Sequence, residues 1–145
     1  MKQRLRYPIR ILAGGFLACA QLLSVEQEGS PVVYSEDIKP VYFEALSFPV
    51  SARLSHTEGS VIVRVNLGPD GEVLSSSAIS GPKALIQDCL ANSRKWRFRP
   101  NSQKAVVIVY QFRFTGVCAG PCPSQFLFYP PNVATITVGE PVVQP

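Results

Sequence analysis

Histidine is nearly absent from this chain of 145 residues: His56 is the only one. Acid–base chemistry near neutral pH and most transition-metal sites draw on histidine, so both are poorly supplied here. His56 stands among Ser55, Thr57 and Glu58 and reads as a solvated loop residue. Cysteine is scarce too, at four residues. Cys118 and Cys122 have no histidine beside them and are not spaced like zinc ligands. No Gly-x-Ser-x-Gly elbow, phosphate-binding loop or dinucleotide fingerprint occurs. Asp70 and Glu72 resemble an acid pair only until the turn around Asp70 is noticed. The sequence therefore predicts no metal, no cofactor and no enzymatic activity. Internal repeats and heptads are missing as well, which excludes solenoids and coiled coils. Charged residues make up only 17%, and their placement matters more than their number. Lys2, Arg4, Arg6 and Arg10 supply four cations near the start without an acid among them. Fourteen basic residues less these four leave ten against ten acidic ones. The basicity thus argues for targeting and against nucleic acid.

What is present begins with a leader. The basic start runs into Ile11-Leu12-Ala13-Gly14-Gly15-Phe16-Leu17, followed by Ala18-Cys19-Ala20, a small-x-small pattern of the kind cut by signal peptidase. Three fates stay open. The leader is cut before Gln21, is kept as an inner-membrane anchor, or is lipidated at Cys19. The anchor must use residues 9–25, which include Arg10 and Gln21 and fall short of the roughly 20 apolar residues of a spanning helix. All three send the chain to the envelope. The reading gives residues 1–20 as leader, 21–44 as connector, 45–115 as the main domain and 116–145 as a C-terminal extension. Within the connector, Val32-Val33-Tyr34 has the makings of a short edge strand.

The main domain is patterned as short helix-β-β-α-β. Phe48-Pro49 opens a helical turn through Ala52-Arg53-Leu54, proline being suited to a first turn. Val61, Val63, Val65 and Leu67 then alternate with Ile62, Arg64 and Asn66, the period of a strand with one apolar face. Pro69-Asp70-Gly71 is a turn. Residues 72–80 return as a second strand, with Val73 and Ile79 on one face and Leu74 and Ala78 on the other. Gly81-Pro82 starts a helix whose apolar stripe is Leu85, Ile86, Cys89, Leu90 and Trp96, and Pro100 ends it. Residues 104–114 form the clearest strand, with Val106, Ile108, Tyr110, Phe112 and Phe114 on one face. The predicted class is α+β, a small antiparallel sheet packed by one main helix, followed by a Cys- and Pro-containing extension. In that extension residues 133–138 have the pattern of a further strand.

The cysteines and the cations carry the remaining signals. In an oxidising compartment Cys118 and Cys122 can close a small loop and leave Cys89 a buried thiol; Cys89 with either tail cysteine is the other pairing. A redox-active pair is the less favoured use, because no helix start follows Cys122 to stabilise a thiolate. Arg94, Lys95, Arg97, Arg99 and Lys104 concentrate positive charge, as a solvated helix end or as a patch for an acidic partner segment. A small sheet with an accessible edge can also take another chain's extended segment as an added strand.

These pieces, in this order, resemble the C-terminal domain of TonB, the energy transducer of Gram-negative bacteria. Phe48-Pro49-x-x-Ala52-Arg53 resembles the family's opening. Gly59-x-Val61-x-Val63-x-Val65 resembles its first strand, and Pro69-Asp70-Gly71-x-Val73 its turn and second strand. Ser80-Gly81-Pro82 with Leu85 resembles the helix start, and Trp96-Arg97-Phe98-x-Pro100 the helix exit. The resemblance implies a periplasmic domain that grips the TonB box, an extended segment of an outer-membrane transporter. It also implies proton-motive force delivered by the inner-membrane partners ExbB and ExbD. The gripping strand would be residues 104–114, which makes Val106, Ile108, Tyr110 and Phe112, with Arg97 and Arg99, the expected partner-binding residues. Homodimerisation stays open. The chain departs from the pattern in having no histidine before residue 56 and only a brief spacer, which leaves an exported adaptor without motor coupling as the alternative.

Overall fold

In chain order the elements are β1 (Pro40–Tyr42), α1 (Val50–Leu54), β2 (Gly59–Leu67), β3 (Val73–Ser80), α2 (Lys83–Ser93), β4 (Arg97–Phe98), β5 (Ala105–Cys118), β6 (Gln125–Tyr129) and β7 (Val133–Pro141). They come from a computed structural model that describes residues 39–100, 102 and 104–142. The leader, Cys19 and the Val32-Val33-Tyr34 stretch lie outside the described residues. Five strands form one sheet in the order β3-β2-β5-β7-β6, and β1 pairs with β4 in a separate ribbon. All neighbours are antiparallel except β5 and β7, which are parallel. The class is α+β, with a mixed sheet and the helices on one face.

Period-two patterning explains which face is buried. Val61, Val63 and Val65 of β2, Ile108 and Tyr110 of β5, and Ala134 and Ile136 of β7 are all fully buried under the helix side. Leu85 and Cys89 of α2 pack into the same core, with Ile86 and Leu90 half-buried beside them. The α2 stripe supplies apolar side chains at the helical period, and Pro82 at its N-cap fits where no N–H is required.

Two readings of this region are corrected. The helix stops at Ser93 rather than continuing to Trp96. Arg97 and Phe98 instead pair with Tyr42 and Pro40, and that partner strand is remote in sequence. The faces of β3 also differ from strict alternation. Leu67 faces Val73 and Asn66 faces Ser75, so Leu74 is an extra residue; Val63 faces Ala78 and Ile62 faces Ser80, so Ile79 is another. These two bulges put Val73 and Ala78 on the same, inner side and leave Leu74 and Ile79 64% and 58% exposed.

Gly71 holds the first hairpin against β4. Its φ is +80°, and its carbonyl accepts the Phe98 N–H at 2.9 Å. A Cβ at this position would overlap the Phe98 carbonyl oxygen, which is backbone and has nowhere to move. Gly71→Ala is therefore expected to lower stability by about 3 kcal/mol, the sum of the left-handed penalty and the backbone displacement. Urea unfolding followed by the fluorescence of Trp96 measures it.

Candidate functional site

The strand expected to grip a partner is the centre of the sheet. β5 pairs with β2 from Asn66↔Ala105 to Gly59↔Phe112 on one side. On the other side β7 lies parallel to it, from Val109↔Val133 through Phe114↔Val138 and on to Cys118↔Pro141. Asn132 extends that cover. Its carbonyl accepts the Val109 N–H and its Nδ2 donates to the Val107 carbonyl, both at 2.9 Å. The reading of residues 104–114 as an accessible edge is corrected: the chain's own tail fills the ladder. Val106, Ile108, Tyr110 and Phe112 do lie on one face, and that face is the core, where all four are buried. One signal in the sequence does point to a central strand. Val106-Val107-Ile108-Val109 is a continuous apolar run, the mark of a strand covered on both sides.

Where β5 outruns β2, its next amide is also satisfied. Glu58 Oε2 accepts the Phe114 N–H at 3.2 Å, at the rim of an open cleft of about 430 Å³ lined by residues 58–60 and 111–114. His56 stands nearby in an exposed loop, its Nδ1 3.7 Å from Glu140 Oε1.

Two members of the basic cluster are bonded within the chain. Lys95 Nζ pairs with Glu44 Oε1 at 2.7 Å, and Arg97 donates through one guanidinium nitrogen to the Arg94 and Trp96 carbonyls. Arg99 is exposed on the segment leaving β4. Arg97 and Arg99 are thus exposed, whereas the four named β5 side chains are buried.

Sequence reasoning missed the polar centre of the core. Asn92, at the end of α2, is buried. Its Oδ1 accepts from Trp96 Nε1 and from the Tyr110 hydroxyl, each at 2.9 Å, and its Nδ2 donates to the Glu44 carbonyl at 2.9 Å. One side chain therefore ties α2, β5 and the approach to α1 together. The signal available was an asparagine four residues before a tryptophan, close to the end of the helix. Around this centre the rings of Phe43, Trp96 and Phe128 stand 4.7 to 5.6 Å apart, so β6 from the tail helps to close the same core.

The cysteines separate into two environments. Cys118 and Cys122 are disulfide-bonded, pinning the end of β5 to the crossover that leads into β6, with Cα atoms 6.0 Å apart. Cys89 is free and fully buried. Burial, reinforced by the negative charge of Asp88, pushes its thiol up to about 12. Burial likewise pushes the Tyr110 hydroxyl upward, with a further contribution from Cys89. Both groups are held neutral in the fold and ionise more readily in the unfolded chain. The contribution of Cys89 to stability is complete below pH 9 and is lost as pH rises from the ordinary thiol value of 9.0 toward 12, whereas that of Tyr110 starts to be lost only above the ordinary phenol value of 10.0. Each group subtracts about 1.4 kcal/mol per pH unit inside its window. Native protein at pH 8 is thus expected to leave Cys89 unmodified by iodoacetamide, with alkylation appearing only when urea unfolds the chain; intact mass reports it.

What these elements define is a small α+β domain of backbone ladders and apolar surface. Among the described residues no cluster of three or more His, Cys, Asp or Glu is placed to hold a metal ion. Residues 44–115 match the family described as Gram-negative bacterial TonB protein C-terminal, and through this segment the chain belongs to the TonB C-terminal domain family. A comparison with curated proteins finds no match. The family is one of energy-transducing and binding domains rather than enzymes; its members work in the envelope and interact with outer-membrane transporters. No helix among the described residues is long and apolar enough to cross a membrane.

Proposed function

We propose that the chain is an exported periplasmic protein whose TonB-like domain binds an extended segment of an outer-membrane transporter by strand pairing. The observation that carries the reading is the family match over residues 44–115, which covers α1 through most of β5. Strand addition suits such a domain physically. A sheet edge supplies backbone hydrogen bonds to any extended chain, and neighbouring side chains then select the sequence.

A second reading keeps the binding and drops the motor. It is favoured by the sequence, which has no histidine before His56 and only a brief spacer where the family resemblance implies contact with the motor. On this reading the protein is an envelope adaptor rather than a transducer of proton-motive force. Co-purification after in vivo crosslinking separates the two. Recovery of a transporter together with ExbB or ExbD supports energy transduction, and recovery of a transporter alone supports the adaptor. Recovery of neither overturns the strand-pairing function.

A further inference from the structure

We infer that the edge open to a partner in this chain is β6, which the tail itself provides, and that its occupant is an uncharged extended segment of another protein. The inference rests on the strand-pairing reading and names the site at which it operates.

Among the described residues the sheet offers four stretches of ladder. The β7 side of β5 is filled from residue 107 to 118 by β7 and Asn132. Vacating it would pull Ala134, Ile136 and Val138 out of the core, where they are fully buried or nearly so. The overhang of β5 beyond β2, residues 113–118, has its Phe114 amide already bonded to Glu58, and it is broken by the register shift between Phe114 and Val117 and by Gly116 at a φ of +58°. The outer side of β3 is blunted by the bulges at Leu74 and Ile79. Between those bulges it presents Ser75, Ser76, Ser77 and Ala78, which have little surface to grip.

Among the described residues, β6 carries none of the usual protection. Its five residues, Gln125-Phe126-Leu127-Phe128-Tyr129, pair with β7 without a register shift and include no charge, proline or bulge. Natural sheets blunt an edge of this kind with lysine, proline or a bulge when nothing is meant to add to it. Pro123 and Pro130 bracket the run and set its length, because proline cannot extend the ladder as a donor. Both faces beside the edge are apolar. Leu127 and Tyr129 are 50% and 54% exposed on the open face of the sheet. On the helix side, the ring of Phe43 lies 4.7 Å from Phe128 and 5.9 Å from Phe126, forming an aromatic ledge beside the strand. An added strand would set alternate side chains on that ledge and the others next to Leu127 and Tyr129.

The size of the edge selects the occupant. A stable dimer engages roughly 20–30 residues a side, far more than a five-residue run between prolines provides. A single extended segment needs only such a ladder and a few side-chain contacts. The absence of charge in residues 125–129 matches an uncharged segment with β-branched or aromatic residues at alternate positions.

The test uses the full chain, labelled with nitrogen-15, and a blocked heptapeptide of alternating threonine and valine as probe. Amide shift changes are expected at residues 125–129. Leu127→Lys, which places a charge on an exposed edge position, is expected to weaken binding at least tenfold while leaving the thermal midpoint unchanged. Shift changes confined to β3, or to β5 and β7, overturn the assignment to β6 and leave strand pairing standing. Wild-type affinity in the Leu127→Lys variant does the same. Loss of the residue 125–129 signals with rising protein concentration alone, together with a dimer in sedimentation, replaces the partner segment by a second copy. An absence of binding at every edge overturns the strand-pairing reading along with this inference.

Discussion

Replacing Asn92 by leucine is expected to destabilise the fold by about 4 kcal/mol. Leucine keeps the number and branching of the side-chain heavy atoms, so most of the loss comes from polar groups left without partners. The Trp96 indole N–H, the Tyr110 hydroxyl and the Glu44 carbonyl all bond to this one side chain. Each buried group stripped of its partner costs about 1–3 kcal/mol, and leucine recovers part of that by apolar contact. Tyr110→Phe removes a single donor and leaves Asn92 Oδ1 still bonded to Trp96, so its effect is expected to be about 1 kcal/mol. Guanidinium unfolding followed by Trp96 fluorescence separates the two. Equal effects for both variants would show that the three groups do not act through Asn92.

Ile136→Ala is expected to be nearly as damaging, at about 3–4 kcal/mol. Ile136 is fully buried in β7, facing Phe112 of β5 and Phe126 of β6 across the ladders. The substitution lies outside residues 44–115, yet it opens a cavity in the same core as Val63 and Leu85. Tail and domain should therefore unfold together. A single transition, seen identically by circular dichroism and by Trp96 fluorescence, is the expected result. Two transitions, with only the minor one moved by Ile136→Ala, would show that the tail is a separable appendage.

Much of the fold was legible because periodicity is local. The alternation at residues 61–67 and 104–114, the Pro69-Asp70-Gly71 turn and the stripe Leu85-Ile86-Cys89-Leu90 each state a period and a face. Their order carried the family resemblance. What escaped were the facts that depend on which strands meet. The apolar stripe runs on to Trp96, and nothing near Arg97-Phe98 announces Pro40–Tyr42 as a partner. The bulges at Leu74 and Ile79 invert a face without changing the composition of the strand. Above all, a half-buried alternation looks the same in an edge strand and in a central one. The place of residues 104–114 in the sheet is decided by residues 132–141, whose parallel docking between β5 and β6 has no local signature.

The candidate site was less legible than the fold. The strand proposed as gripping is real, but its named side chains form the interior. Arg97 is engaged by nearby carbonyls. Asn92 went unnoticed because a single polar residue on an apolar helix stripe shows its partners only in three dimensions.

The most direct test of the account is native-state hydrogen exchange on the full chain without any partner. If the tail fills the ladder of β5, the amides of Thr135, Ile136 and Thr137, which lie between β5 and β6, will exchange as slowly as those of Val63 and Val65 in β2. The Val109 amide, bonded to the Asn132 carbonyl, will join them. Exchange of the β7 and Val109 amides at rates near those of an open chain, with β2 still protected, would contradict the account. It would return residues 104–114 to the edge of the sheet.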